Sequence, residues 1–335
     1  MNQQTIDLRS DTVTVPDDAM RRVMASAEVG DDVYNEDPTV NRLQAFTAEL
    51  TGHERALFFP SGTQSNLAAM MSHCARGEEY IVGMNAHTYK DEAGGAAVLG
   101  SIQPQPIEFE SDRTLCLEKV RSHIKDDDVH HAPTRLFALE NTCGGRSLPM
   151  EYLRDASAFA SEKGLSFHLD GARLFNAVVA ESVSAKDITG LFDSVSICLS
   201  KGLGAPIGSM LAGSKEFIHK AHRWRKMVGG GMRQVGPLAA AGLYALEHNV
   251  DRISDDHERA HRLACALLDV EGIAVNDDCA HTNMVFISCT DNKALISHCA
   301  DHGLKIGGDI RLVTHKDISD ADIDRAVEII AAFFD

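Results

Sequence analysis

No two of the eight cysteines in this chain stand two residues apart, and Cys74, Cys116, Cys143, Cys198, Cys265, Cys279, Cys289 and Cys299 follow no zinc-like cadence. No redox pair or metal centre is therefore indicated, and several of these residues sit inside apolar runs, as buried thiols in a reducing compartment would. Basic residues are scarce: 32 Lys plus Arg stand against 49 Asp plus Glu, a net charge of −17. This balance argues against nucleic acid and anionic membrane as partners. No apolar stretch reaches membrane-spanning length, and Met1–Asp7 carries neither a basic nor an apolar leader pattern. We expect a soluble, cytoplasmic protein. Repeats, low-complexity tracts and proline-rich linkers are also missing.

What is present is ordinary globular composition, 44% hydrophobic and 24% charged over 335 residues. That length suits one sizeable core with a smaller appended domain. From Arg55 onward, short β-branched or aromatic runs alternate with helical patterns, the signature of an α/β sheet wrapped by crossover helices. Strands are expected at Arg55–Phe59, Tyr80–Gly83, Arg135–Leu139, Ser166–Leu169, Ser194–Leu199 and Gly208–Ala212, with helices at Thr63–Ala75, Pro149–Lys163 and Ser214–Lys226. After Gln234 a helical stretch runs from Leu238 to about Val270, with a break near Asn249. A smaller α+β segment follows, with strands at Asn283–Ser288 and Ile310–Thr314 and helices at Asn292–His302 and Ala321–Phe334. We place the domain boundary there: residues 1–248 form the large domain, including the N-terminal segment, and 249–335 the small one.

The chemistry-bearing residues follow the apolar strands. Ser166-Phe167-His168-Leu169-Asp170-Gly171-Ala172-Arg173 ends a strand on a carboxylate, and Ser194–Cys198 leads through Leu199 and Ser200 to Lys201. Taken singly, Asp170 reads as a helix N-cap, whereas a surface position in a glycine-rich loop fits Lys201 poorly, because an apolar strand aims directly at it. Taken together, they are the carboxylate that faces a pyridine nitrogen and the amine that forms a Schiff base in pyridoxal 5′-phosphate chemistry. Pro60-Ser61-Gly62-Thr63-Gln64 opens a helix, either as a plain strand–turn–helix or as a cup for a phosphate. His87 follows a strand and could stack on a ring or move protons. His130-His131 lacks a third ligand at a recognisable spacing, so no metal is expected. Gly30–Thr39 reads as a solvated or interface loop. Trp224–Lys226 with Gly229–Arg233 reads as a hinge or as a source of cations for a phosphate or a neighbouring subunit.

In this order the motifs resemble the low-specificity L-threonine aldolase family. The likeness starts at Asp7-Leu8-Arg9-Ser10-Asp11-Thr12-Val13-Thr14 and continues through Gly30–Tyr34, Ser61–Gln64, Glu92–Ala96, His168–Arg173 and Leu199–Gly202. It ends with Gly229–Arg233 and Ile310–Thr314, so it covers nearly the whole chain. The resemblance implies a fold type I (aspartate-aminotransferase-like) enzyme, a homotetramer built from close dimers. Lys201 would carry the Schiff base, Asp170 would face the pyridine nitrogen, His87 would stack on the ring, and Gly62 and Thr63 would hold the phosphate. Ser10, Arg173 and Arg311 would grip the carboxylate of a β-hydroxy amino acid, with His87 and His130 near its hydroxyl. Tyr34, Lys226 and Arg233 would complete a site across the subunit interface.

The implied reaction is retro-aldol cleavage to glycine and an aldehyde. β-Elimination or racemisation uses the same carbanion and stands as the alternative, with an idle cofactor-binding protein behind it. Two departures bear on the β-substituent pocket. Cys143-Gly144-Gly145 stands where the family often has His-Asn-Gly, and Lys90-Asp91 stands where apolar or aromatic residues are usual.

Overall fold

The computed structural model describes residues 5–276 and 280–334. Its first strand, β1 (Ile6–Asp7), precedes a seven-stranded sheet of β2 (Arg55–Phe59), β3 (Glu79–Gly83), β4 (Gln103–Ile107), β5 (Thr134–Glu140), β6 (Ser166–Asp170), β7 (Ser194–Cys198) and β8 (Ser209–Gly213). The spatial order is β2-β8-β7-β6-β5-β3-β4. All pairs are parallel except those of β8, which runs antiparallel to both β2 and β7. The carboxyl ends of β2 to β7 therefore share one edge, the edge where open α/β sheets bind ligands.

Helices cover both faces, which is why several strands are buried along nearly their whole length rather than on one face. Phe58, Phe137, Leu169 and Ile197 are all buried in the main core. The expected strands are found within a residue or so of their limits, and the helices at Gly62–His73, Met150–Glu162 and Lys215–Met227 likewise. Strand β4 was not anticipated. Its sequence, Gln-Pro-Gln-Pro-Ile, would break an interior ladder, but β4 pairs only with β3 at the sheet edge, where proline is tolerated. Two early helices, Asp18–Ala25 and Pro38–Thr51, also precede the first expected strand. The second is set by Asp37 at its N-cap and Pro38 in its first turn, a pre-organised start.

Beyond the helix Gly236–His248 the chain turns and enters Ile253–Leu268. Strands β9 (Ala274–Val275), β10 (Met284–Ser288) and β12 (Arg311–Val313) form an antiparallel sheet, while β11 (Leu304–Lys305) pairs parallel with β1. Ile6 and Leu8 accordingly lie in the smaller core with Leu263, Leu295 and Ile323. The opening residues thus pack with the C-terminal segment. From there the chain crosses to the sheet edge, which brings Ser10 and Asp11 to the site. No helix among the described residues is long and apolar enough to cross a membrane.

Candidate active site

Lys201 follows β7 in a tight loop held from three sides. Gly204 N–H donates to Lys201 O at 2.9 Å, Thr14 Oγ1 to the same carbonyl at 2.8 Å, and Asn249 Nδ2 to Leu203 O at 2.7 Å. Gly204 has φ +78°, a left-handed conformation that a side chain would strain. On the neighbouring strand Asp170 is buried, with Oδ2 accepting from Asn66 Nδ2 at 2.9 Å and Oδ1 from Ala172 N at 3.0 Å. The N-cap reading of Asp170 fails, because the next helix, Leu174–Glu181, starts at Arg173 without a side-chain cap.

His87 begins a short helix after β3. Its backbone N–H donates to Glu140 Oε2 at 2.8 Å, and its Nδ1 pairs with Glu92 Oε1 at 2.8 Å. The Glu92 hydrogen bond raises the His87 pKa, while burial and then the nearby Asp170 charge raise that of Glu92. Both shifts have one consequence: the pair holds its proton more tightly than either free group. Glu140, in register with Asp170 across β5 and β6, is pushed up to about 7 by burial first and the Asp170 charge second. Lys201 opposes that rise, so its amine and the three carboxylates share one electrostatic neighbourhood. A ring nitrogen of His87 and carboxylate oxygens of Glu92 and Asp170 lie within 4.8 Å of one another, a spacing that a cation could bridge. The amide N–H bonds of Asn66 already point at both carboxylates, and a cation would have to displace them.

Sequence reasoning gave no role to Glu140, Glu92, Asn66 or Asp11. The signal for Glu140 was available, since it ends an apolar strand as Asp170 does. Asp11 is buried and takes both Nε (2.8 Å) and Nη2 (2.6 Å) of Arg173, which hold its carboxyl down to about 2 against burial, the largest opposing influence. One edge of the Arg173 fork is thereby committed, and only the remainder can meet a ligand. Arg311 donates weakly from Nη2 to Arg9 O at 3.4 Å, while its buried Nε finds no acceptor among the described residues. Ser10 Oγ accepts from Thr12 N at 3.3 Å beside that guanidinium's partner, Arg9.

At the helix Gly62–His73, Ser61 is the N-cap and accepts from Gln64 N at 3.2 Å. A Cβ on Gly62 would stand 2.8 Å from Cys198 Sγ on β7, so the helix start and the Lys201 strand approach closely only because that residue is glycine. Thr63 is exposed beside it.

Other expected residues lie apart from this cluster. His130 is 83% exposed on a surface loop and bonded through Nδ1 to Asp128 at 2.6 Å. Within one chain, no hydrogen bond among the described residues joins it to His87. Tyr34 is 69% exposed. Lys226 is exposed, and Arg233 pairs with Asp31 at 2.9 Å. The acidic loop is not simply solvated: Asp32 is buried and takes Arg225 Nη2 at 2.8 Å, and Asp32 N donates to Arg233 O at 3.1 Å. The loop is therefore clamped to the basic stretch. Lys90 faces outward to Asn85, and Asp91 is exposed. Cys143 is buried, which pushes its thiol up to about 12 and leaves it unreactive.

The sheet order, the appended antiparallel sheet and this strand-end cluster define a fold type I enzyme. A Leishmania major threonine aldolase superposes with TM-score 0.83 at 20% identity, covering 98% of this chain and 100% of that one. Sphingomonas wittichii serine palmitoyltransferase does so with TM-score 0.79 at 17% identity, covering 98% and 87%. The beta-eliminating lyase family matches residues 7–290. A low specificity L-threonine aldolase of Escherichia coli O157:H7 is 54% identical over 318 residues, 94% of this chain and 95% of the relative. A probable low-specificity L-threonine aldolase 2 of Arabidopsis thaliana is 43% identical over 99% of this chain and 98% of the relative. The chain belongs to the low-specificity L-threonine aldolase family, whose members are pyridoxal phosphate-dependent lyases.

Proposed function

We propose that this protein cleaves L-threonine, L-allo-threonine and related β-hydroxy-α-amino acids to glycine and an aldehyde, with pyridoxal 5′-phosphate as cofactor. The observation that carries this reading is that Asp170 and Lys201 follow neighbouring strands at one sheet edge, with the His87–Glu92 pair close by, while Arg311 keeps a buried Nε with no acceptor among the described residues. The residues fit the cofactor. Lys201 supplies an amine, Asp170 a buried carboxylate for the ring nitrogen, His87 a partly open imidazole face, and Gly62 and Thr63 the first turn of a helix for the phosphate. Bound there, pyridoxal phosphate supplies an electron sink for the pair left at Cα when the Cα–Cβ bond breaks.

The protein's own part is orientation and proton transfer. Arg311, Ser10 and the free edge of Arg173 would grip the substrate carboxylate and so select which Cα bond stands in line for cleavage. The base that takes the β-hydroxyl proton is His87, or His130 delivered by another subunit. The exposed His130 and Tyr34, with Lys226 and Arg233, fit a homotetramer of close dimers in which each site is completed by a neighbour. Residues 249–335 form the small domain together with the opening strand, and the protein works in the cytoplasm.

The test is a panel of both β-epimers of threonine and phenylserine, with glycine and aldehyde quantified separately. Equal amounts of the two products support the aldolase. Pyruvate and ammonia from serine, without glycine from threonine, would favour β-elimination instead. Arg311→Lys should raise KM for threonine about tenfold or more while kcat falls less, since a bidentate contact is lost.

A further inference from the structure

Behind the Asp170 carboxylate runs a line of buried polar groups that the chemistry above leaves unused. Asn66 Nδ2 donates to Asp170 Oδ2 at 2.9 Å and to Glu92 Oε1 at 2.8 Å. Its Oδ1 lies 3.4 Å from Nε2 of His168, a fully buried residue two positions before Asp170 on β6. Nδ1 of His168 is 2.8 Å from Ser194 Oγ, its register partner on β7, and that hydroxyl is 2.7 Å from Nε2 of His73. His73 in turn lines a recess of about 800 Å³ with Cys74, Arg76, Trp224 and Met227.

One assignment of donors and acceptors satisfies every side chain in the line. An amide facing two carboxylates must present its N–H bonds, because its carbonyl oxygen would be repelled. Asn66 Oδ1 therefore faces His168 and needs a donor, so His168 carries its hydrogen on Nε2. Nδ1 then accepts from the Ser194 hydroxyl, and that oxygen accepts from His73 Nε2–H. Both imidazoles are neutral, as the assignment requires, because burial pulls His168 down to about 3 and His73 to about 4.

We propose that His168, backed by Ser194 and His73, is a positioning residue for the cofactor: it locks the Asn66 amide so that both N–H bonds aim at Asp170 and Glu92. The two carboxylates are thereby fixed against the ring nitrogen and against His87. The proposal rests on the reading that Asp170 faces the cofactor nitrogen. Without the His168 N–H, Asn66 Oδ1 is left without its donor and the amide is held from the carboxylate side alone, so its aim at both carboxylates loosens.

The test compares His168→Leu, His168→Gln, Ser194→Ala and Asp170→Ala. The readouts are the pyridoxal phosphate dissociation constant, the pH midpoint of the lysine-bound cofactor's absorbance, and the melting temperature of the cofactor-free protein. His168→Leu should weaken cofactor binding about tenfold or more and move the midpoint. Gln, which retains one donor and one acceptor, should recover most of both. Wild-type affinity and midpoint in His168→Leu, or equal losses with Leu and Gln, would overturn the proposal. If His168→Leu does not fold, Ser194→Ala decides, and an unchanged midpoint and affinity there overturns it. Wild-type affinity in Asp170→Ala would overturn the placement of Asp170 itself. A loss in Asp170→Ala beside an unaffected His168→Leu overturns the relay alone.

Discussion

Glu140 and Asp170 stand side by side in register, and two carboxylates at one level of a sheet do not both ionise cheaply. Folding lifts the Glu140 pKa from 4.5 to about 7, so the folded chain keeps a proton that the unfolded chain has released across that window. The associated stability is intact below pH 4.5 and is lost as pH climbs through about 7. In cofactor-free protein, Glu140→Gln should flatten the fall in melting temperature between pH 5 and 8, removing about 1–3 kcal/mol of pH dependence. An unchanged slope would mean that Glu140 titrates normally. His87 carries the opposite lesson. Its raised pKa comes chiefly from Glu92, so the acid limb of a kcat/KM profile governed by His87 should lie above 6.5. Glu92→Gln should bring that limb down; a limb that stays put identifies another base. The placement of Asp170 and Lys201 at neighbouring strand ends was legible because each follows an apolar strand and the two side chains together fit the chemistry proposed for them. Glu140 has the same address but no such partner in the sequence. Asn66 and His168 were illegible, since their roles exist only after a helix and two strands converge.

The element that ties the acidic loop to its neighbours is the turn around Asp37. Its Oδ1 accepts from Thr39 N and Val40 N, both at 3.1 Å, while Oδ2 accepts from Gly236 N at 2.9 Å and Gly30 N at 3.3 Å. One buried side chain thus caps a helix and pins both the acidic loop and the start of the helix Gly236–His248. Asp37→Ala should cost about 3 kcal/mol, the loss of a cap plus charge-assisted bonds, as read by chemical denaturation. A cost under 1 kcal/mol would show that the loops hold without it. The Asp37-Pro38 start was readable from sequence, unlike the long-range partners Gly30 and Gly236. Strand β4 escaped for a different reason: its two prolines contradict strand propensity, and only its edge position makes them acceptable.

Across the whole molecule, the N-terminal segment links the smaller core to the sheet edge. Leu8 is fully buried in that core, and three residues later Asp11 grips Arg173. Leu8→Ala should destabilise the fold by about 2–5 kcal/mol and weaken substrate binding through the displaced Ser10 and Asp11. Loss of stability with an unchanged KM would show that the two ends of the segment are uncoupled. This path was hidden from sequence reading because β1 is only two residues long and finds its partner, β11, almost 300 positions away. The alternation of strand and helix, by contrast, revealed the large sheet directly.

Everything proposed for the site depends on the cofactor being attached at the end of β7. Borohydride reduction of the cofactor-loaded protein, followed by peptide mapping, reads that attachment directly. The account predicts a stoichiometric pyridoxyl label on the peptide containing Lys201 and none after Lys201→Ala. A label on any other lysine of the wild-type protein would contradict it.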